Sequence, residues 1–102
     1  MPARQRKRLP LIHPGDVLED VLRESCLTVN SLAMALRVPA NRIGAIVKGQ
    51  RGISADTALR LPRYFGTSAQ MWVNLQSKYD LAVAEDELSK RIEREVLPRS
   101  AV

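Results

Sequence analysis

Apolar residues in this chain recur every three or four positions, in short runs cut off at Pro39, Gly49 and Gly66. That spacing brings positions i, i+3 and i+4 onto one side of a helix, so the chain must bury a set of amphipathic helices against one another. The two-residue alternation of a half-buried strand is missing, and no Asn-Gly or Asp-Gly pair separates two apolar runs. With 102 residues there is material for one domain around one core. The expectation is an all-α fold of short helices.

The helices can be placed from their stop and start signals. A first follows Pro14-Gly15, with Val17, Leu18, Val21 and Leu22 inward and Asp16, Glu19 and Asp20 in the early turns, where negative charge suits the helix dipole. Thr28 can cap a second, whose inner face is Leu32, Ala33 and Leu36 and which ends at Arg37-Val38-Pro39. A third begins near Ala40, turns Ile43, Ile46 and Val47 inward and Asn41, Arg42, Ala45 and Lys48 outward, and stops at Gly49, a residue free to turn left-handed. Ser54 can cap a fourth through Ala58, Leu59, Leu61 and Phe65, closed by Gly66, with Pro62 expected to bend it or end it early. Thr67 and Gln70 have capping-box spacing ahead of a fifth helix that turns Met71, Trp72, Leu75 and Tyr79 inward, and Phe65, Trp72 and Tyr79 should anchor the core. Beyond Asp80 only a narrow stripe of Leu81, Ala84, Leu88 and Ile92 interrupts a charged segment, a pattern suited to a partner or a domain flank. The reading divides the chain into a basic arm (1–12), a helical domain (13–79) and a C-terminal helical extension (80–102).

Charge is unevenly spread. Arg4, Arg6, Lys7 and Arg8 make the first thirteen residues +4; Asp16, Glu19, Asp20 and Glu24 against Arg23 make residues 14–24 −3; residues 25–63 carry +5, from Arg37, Arg42, Lys48, Arg51, Arg60 and Arg63 against Asp56. A positive central segment suits a polyanion, because neutralising phosphates releases counterions. The basic arm could solubilise the chain or track a phosphate backbone or minor groove. No apolar run spans a bilayer and no secretory signal pattern follows the basic start, so a cytoplasmic protein without a membrane partner is expected. One cysteine, Cys26, expected to be at least half-buried, and one histidine, His13, read as a helix-entry residue, give neither a disulfide nor a metal cage. No nucleophile is paired with a base and no glycine-rich phosphate loop is present, so neither an enzyme nor a cofactor is expected. Single-stranded RNA would call for exposed aromatics to stack its bases, whereas Tyr64, Phe65, Trp72 and Tyr79 mostly fall on inward positions, which favours duplex DNA.

Helices two and three, joined by a tight turn, have the layout of a DNA-reading helix-turn-helix, in which Leu32, Ala33 and Val38 let the third helix cross the second and project its polar face toward a major groove about 12 Å wide. On spacing alone a plain helical bundle stays open. The residues themselves resemble a known family, the HigA-type antitoxins of the lambda-repressor-like (Xre/Cro) helix-turn-helix class. The stretches that carry the resemblance are His13-Pro14-Gly15-Asp16-Val17-Leu18, Leu32-Ala33, Val38-Pro39-Ala40-Asn41-Arg42-Ile43, Gly49 through Leu61, Phe65-Gly66-Thr67-Ser68 and Trp72 through Leu81. They reach from His13 to about Glu85, and the Trp-to-Tyr-Asp-Leu block is particular to this family within the fold. The sequence departs from the pattern at Arg37, where the turn usually has glycine, at Pro62, which replaces a small residue, and at Met71, which replaces an aromatic.

The resemblance implies a five-helix domain that neutralises a HigB/RelE-like mRNA endonuclease and, as a homodimer, represses its own operon; a stand-alone repressor without a toxin is the alternative. For a helix-turn-helix the base-reading candidates are Ala40, Asn41, Arg42 and Ala45, with Thr28, Lys48 and Arg51 on phosphates. Asp16, Glu19 and Asp20 are either a solvated face or a docking face for a basic RNase. Gly44, inside the third helix, either is tolerated there or permits close approach to DNA.

Overall fold

Four of the five helices begin on a side chain that accepts a first-turn N–H, and these caps set the frame of the fold. The computed structural model describes residues 11–100 and contains α1 (Pro14–Glu24), α2 (Val29–Leu36), α3 (Ala40–Val47), α4 (Ala55–Phe65) and α5 (Ala69–Glu95), with no strand among the described residues. The expected arm cations Arg4, Arg6, Lys7 and Arg8 lie outside the described residues. His13 opens α1: its Nδ1 accepts from the Gly15 N–H at 2.8 Å, and the Asp16 carboxylate accepts from the His13 N–H at 3.1 Å. Thr28 and Ser31 cap α2 reciprocally, with the Ser31 N–H on Thr28 Oγ1 at 3.0 Å and the Thr28 N–H on Ser31 Oγ at 2.9 Å. Ser54 caps α4. For α5 the capping oxygen is Ser68, not the expected Thr67, and Gln70 is spent on Asn74. Each such cap is worth about 1 kcal/mol.

The turn between α2 and α3 is made without glycine. Arg37 sits in the left-handed region at φ 62°, ψ 44°, which costs on the order of 1 kcal/mol for a residue with a Cβ. In return, the Arg37 N–H reaches the Met34 carbonyl and the Val38 N–H the Ala33 carbonyl at 3.0 Å, satisfying the last carbonyls of α2. Gly49, at φ 76°, releases the chain after α3 as expected.

The core is built from Leu18, Leu22, Leu32, Leu36, Ile43, Ile46, Ile53, Ala58, Leu61 and Trp72. α3 packs on both α1 and α2, while α4 lies against α5. Gly15 allows the first of these contacts, since a Cβ there would overlap the Ile46 carbonyl.

Met71, Cys26 and Tyr79 depart from their expected burial, and Leu59 within α4 is also outward. Leu59 is 67% exposed, because the buried stripe of α4 runs through Thr57, Ala58 and Leu61 and a 3.6-residue period puts position 59 on the opposite side. Met71 is exposed on the flank of α5 beside buried Trp72, and the Cys26 thiol is exposed on a residue with φ 56° in the α1–α2 link. Of the expected aromatic anchor, Trp72 is buried and Phe65 packs on the core, but Tyr79 instead stands edge-on to the His13 ring, 4.8 Å between centroids. Pro62 does not end α4 early; it lies in the last turn, where the helix continues to Phe65 and the Gly66 N–H returns to the Pro62 carbonyl. The residue 79/80 boundary falls inside α5, which runs on without a break, and residues 85–100 are all exposed.

Candidate nucleic-acid interface

Ile43 and Ile46, both fully buried, fix the rotation of α3 about its own axis. By the helical repeat, Ala40, Asn41, Gly44, Ala45 and Lys48 then share the opposite side, with Arg42 at its edge toward α4. Ala40, Asn41 and Lys48 are exposed, and Arg42 and Ala45 are half-buried. The middle of this face is formed by alanine and glycine, so a flat surface can approach the helix backbone. A methyl group at position 44 would meet only a Val29 side-chain carbon, at 3.9 Å, so packing within the domain does not demand glycine there.

α3 is also the helix without a side-chain cap. Pro39 occupies the N-cap position and offers no side-chain oxygen, so the N–H groups of the first turn are without a side-chain acceptor. Thr28 stands exposed at the start of α2, but its hydroxyl is already engaged with Ser31, so a phosphate there would have to share it. Lys48 and Arg51 are exposed at the end of α3 and in the loop after it.

That loop is held by a residue of α5 for which spacing gave no signal. Gln76 Oε1 accepts from the Ile53 N–H at 2.6 Å, while its Nε2 donates to Asp80 at 2.9 Å. Gly52 passes so close to the Gln76 amide that a Cβ would crowd it at 2.9 Å. The Trp-to-Leu block on α5 therefore supports the loop that carries Arg51.

Arg42 is not a free side chain. Its Nη1 donates to Asp56 Oδ2 at 2.7 Å across the α3–α4 gap, and Arg60 Nε donates to the same oxygen at 2.9 Å. Arg60 Nη1 in turn reaches the Leu36 carbonyl, at the end of α2, at 2.9 Å. Arg60 first, and then Arg42, hold the Asp56 carboxyl below its ordinary value, so it is ionised at neutral pH. Arg42 and Asp56 are fourteen positions apart, a separation no helical repeat flags; only the Asp56–Arg60 half, at four residues, is legible as a helix pair.

On α1, Asp16, Glu19 and Asp20 are all exposed. Asp16 belongs to the cap of α1, and Asp20 pairs with Arg23 at 3.0 Å. Among the described residues no group of three or more His, Cys, Asp or Glu could hold a metal, and no helix is long and apolar enough to cross a membrane.

Five helices, with the second and third set as a helix-turn-helix and a small polar face projecting from the third, define a DNA-binding protein of the helix-turn-helix class. The chain is 52% identical over 83 residues to Virulence-associated protein I of Dichelobacter nodosus, which covers 80% of this chain and 77% of that one. The structure of Pseudomonas aeruginosa antitoxin HigA with the higBA promoter matches with TM-score 0.85 and 51% identity, over 89% of this chain and all of that one. An addiction module antidote protein of the HigA family from Coxiella burnetii matches with TM-score 0.82 and 44% identity over the same shares. No family model matches. The chain belongs to the HigA antitoxins, which are DNA-binding regulators and not enzymes.

Proposed function

We propose that this protein is the antitoxin of a type II toxin-antitoxin system, acting in the cytoplasm: it neutralises a HigB/RelE-like mRNA endonuclease and, as a homodimer, binds double-stranded operator DNA to repress its own operon. The observation that carries the DNA half is the uncapped first turn of α3, with Ala40, Asn41, Arg42 and Ala45 on or beside an outward face of small and polar residues, in a chain about half identical to an antitoxin solved on promoter DNA. Base edges fall to those four residues and phosphates to Lys48, Arg51 and Thr28.

A dimer is supported by α5. Leu81, Leu88 and Ile92 are exposed along α5 and Val96 just past its end, in a stretch where residues 85–100 are all exposed, and a two-fold pair would place two reading helices about one turn of DNA apart. In sedimentation at roughly tens of micromolar the full chain is expected as a dimer and the chain truncated after Asp80 as a monomer. A full-length monomer, or a dimer indifferent to the truncation, contradicts this interface.

The toxin half is supported by the acidic face of α1, since an enzyme that holds RNA needs cationic surface. Co-expression with a HigB/RelE-like RNase is expected to restore growth that the RNase alone arrests, and Glu19→Lys with Asp20→Lys to weaken the rescue. Asp16 is left unchanged because its loss would also open the cap of α1. Full rescue by the double variant rejects the docking face; no rescue by the unaltered chain favours the stand-alone repressor.

A further inference from the structure

We propose that Asp56 is a specificity-determining residue for DNA: it positions Arg42, so that the duplex meets one fixed edge of the guanidinium instead of a mobile cation. The inference rests on the reading of α3 as the DNA-contacting helix, and goes beyond it by assigning discrimination to a residue of α4.

The geometry is a clamp. Both guanidinium groups converge on one oxygen, Asp56 Oδ2, at 2.7 Å from Arg42 and 2.9 Å from Arg60, and Arg60 is itself tied to the Leu36 carbonyl at 2.9 Å. The carboxylate thus joins the end of α2, the first turn of α3 and the start of α4. The Arg42 Nε is buried and has no hydrogen-bond partner, so Asp56 is the acceptor that holds the guanidinium against the domain, and without that carboxylate the side chain gains by swinging into solvent. With Nη1 committed to Asp56 and Nε buried, Nη2 is the guanidinium nitrogen left for a further acceptor. A tethered arginine has already lost the freedom that a loose one would lose on binding, so it favours the one base or phosphate that fits its fixed geometry. The same carboxylate repels phosphate oxygens that approach from elsewhere, which lowers affinity for DNA in general and leaves the fitted site less affected. The Asp56 end of both pairs is 51% exposed and Arg60 is 41% exposed, so the Arg60 half contributes little to stability, while Arg42, at 23%, is the more enclosed partner.

The test measures binding of the full-length protein to two duplexes of equal length, one taken from directly upstream of its own reading frame and one scrambled, each at two salt concentrations. Asp56→Asn is expected to bind the scrambled duplex more tightly, with a salt slope steeper by about one unit, and to lower the upstream-to-scrambled ratio by about tenfold. Asp56→Glu, which keeps the charge, is expected to retain most of the ratio. In an Arg42→Ala background the general gain from the lost negative charge persists, but Asp56→Asn is expected to move the ratio by less than about twofold, because no arginine is left to position. A ratio unchanged by Asp56→Asn in a protein that does discriminate overturns the proposal alone, as does an equal loss with and without Arg42. Absence of discrimination in the unaltered protein overturns the proposal together with the reading of α3.

Discussion

Trp72→Ala is expected to lower the stability of the domain by about 3–5 kcal/mol, a large share of the roughly 5–15 kcal/mol that holds a domain of this size together. The indole is 1% exposed and is the largest of the fully buried side chains. It sits on α5 in the cluster that includes Ala58 and Leu61 of α4 and Leu18 of α1, so its removal opens a cavity that backbone from several helices would have to close. Its Nε1 is buried without a hydrogen-bond partner, and Trp72→Phe removes that unpaired donor together with part of the volume. The phenylalanine variant should therefore lose distinctly less than the alanine variant. Urea denaturation followed by circular dichroism measures both; a loss below about 1 kcal/mol for Trp72→Ala would contradict the assignment of Trp72 as the centre of the core.

Much of the architecture was legible because it is written in local chemistry. Thr28 and Ser54 cap where their spacing to the next apolar run says they should, His13 serves as a helix-entry residue, and Gly49 and Arg37 take the left-handed conformations their positions require. Sequence pattern is silent where angle or tertiary contact decides. Leu59 is apolar and lies within the predicted fourth helix, but its angle around α4 puts it beside the exposed Asp56 and Arg63. Met71 and Tyr79 flank the Trp72 direction on α5; the first meets solvent, and the second meets His13, sixty-six positions earlier. For the site, the outward face of α3 followed from the burial of Ile43 and Ile46, which periodicity predicts. The restraint on Arg42 did not, because Asp56 reaches it only after α4 has packed beside α3. Gln76 was likewise invisible as a support for the Arg51 loop until α5 was set against it.

The other large effect is expected on DNA. Asn41 is exposed in the first turn of α3, with an amide that can both donate to and accept from an adenine edge, and among the described residues no side chain competes for it. Asn41→Ala should cost about 1–3 kcal/mol on the operator, relax the preference at one base pair and leave binding to unrelated DNA nearly unchanged. Lys48→Ala and Arg51→Ala should behave differently: both are exposed cations on the margin of the face, so each should weaken all duplexes alike and flatten the salt dependence by about one unit of slope. The contrast separates base reading from phosphate holding, and tests whether α3 does the first of these.

The most direct measurement is a binding titration of the unaltered protein, Asn41→Ala, Arg42→Ala and Lys48→Ala against the duplex from directly upstream of the chain's own reading frame and a scrambled duplex, at two salt concentrations. The account predicts that Asn41→Ala and Arg42→Ala lose affinity for the upstream duplex by about fivefold or more while Lys48→Ala loses affinity for both duplexes. Retention of specific affinity within about twofold by both Asn41→Ala and Arg42→Ala would mean that α3 is not the reading helix.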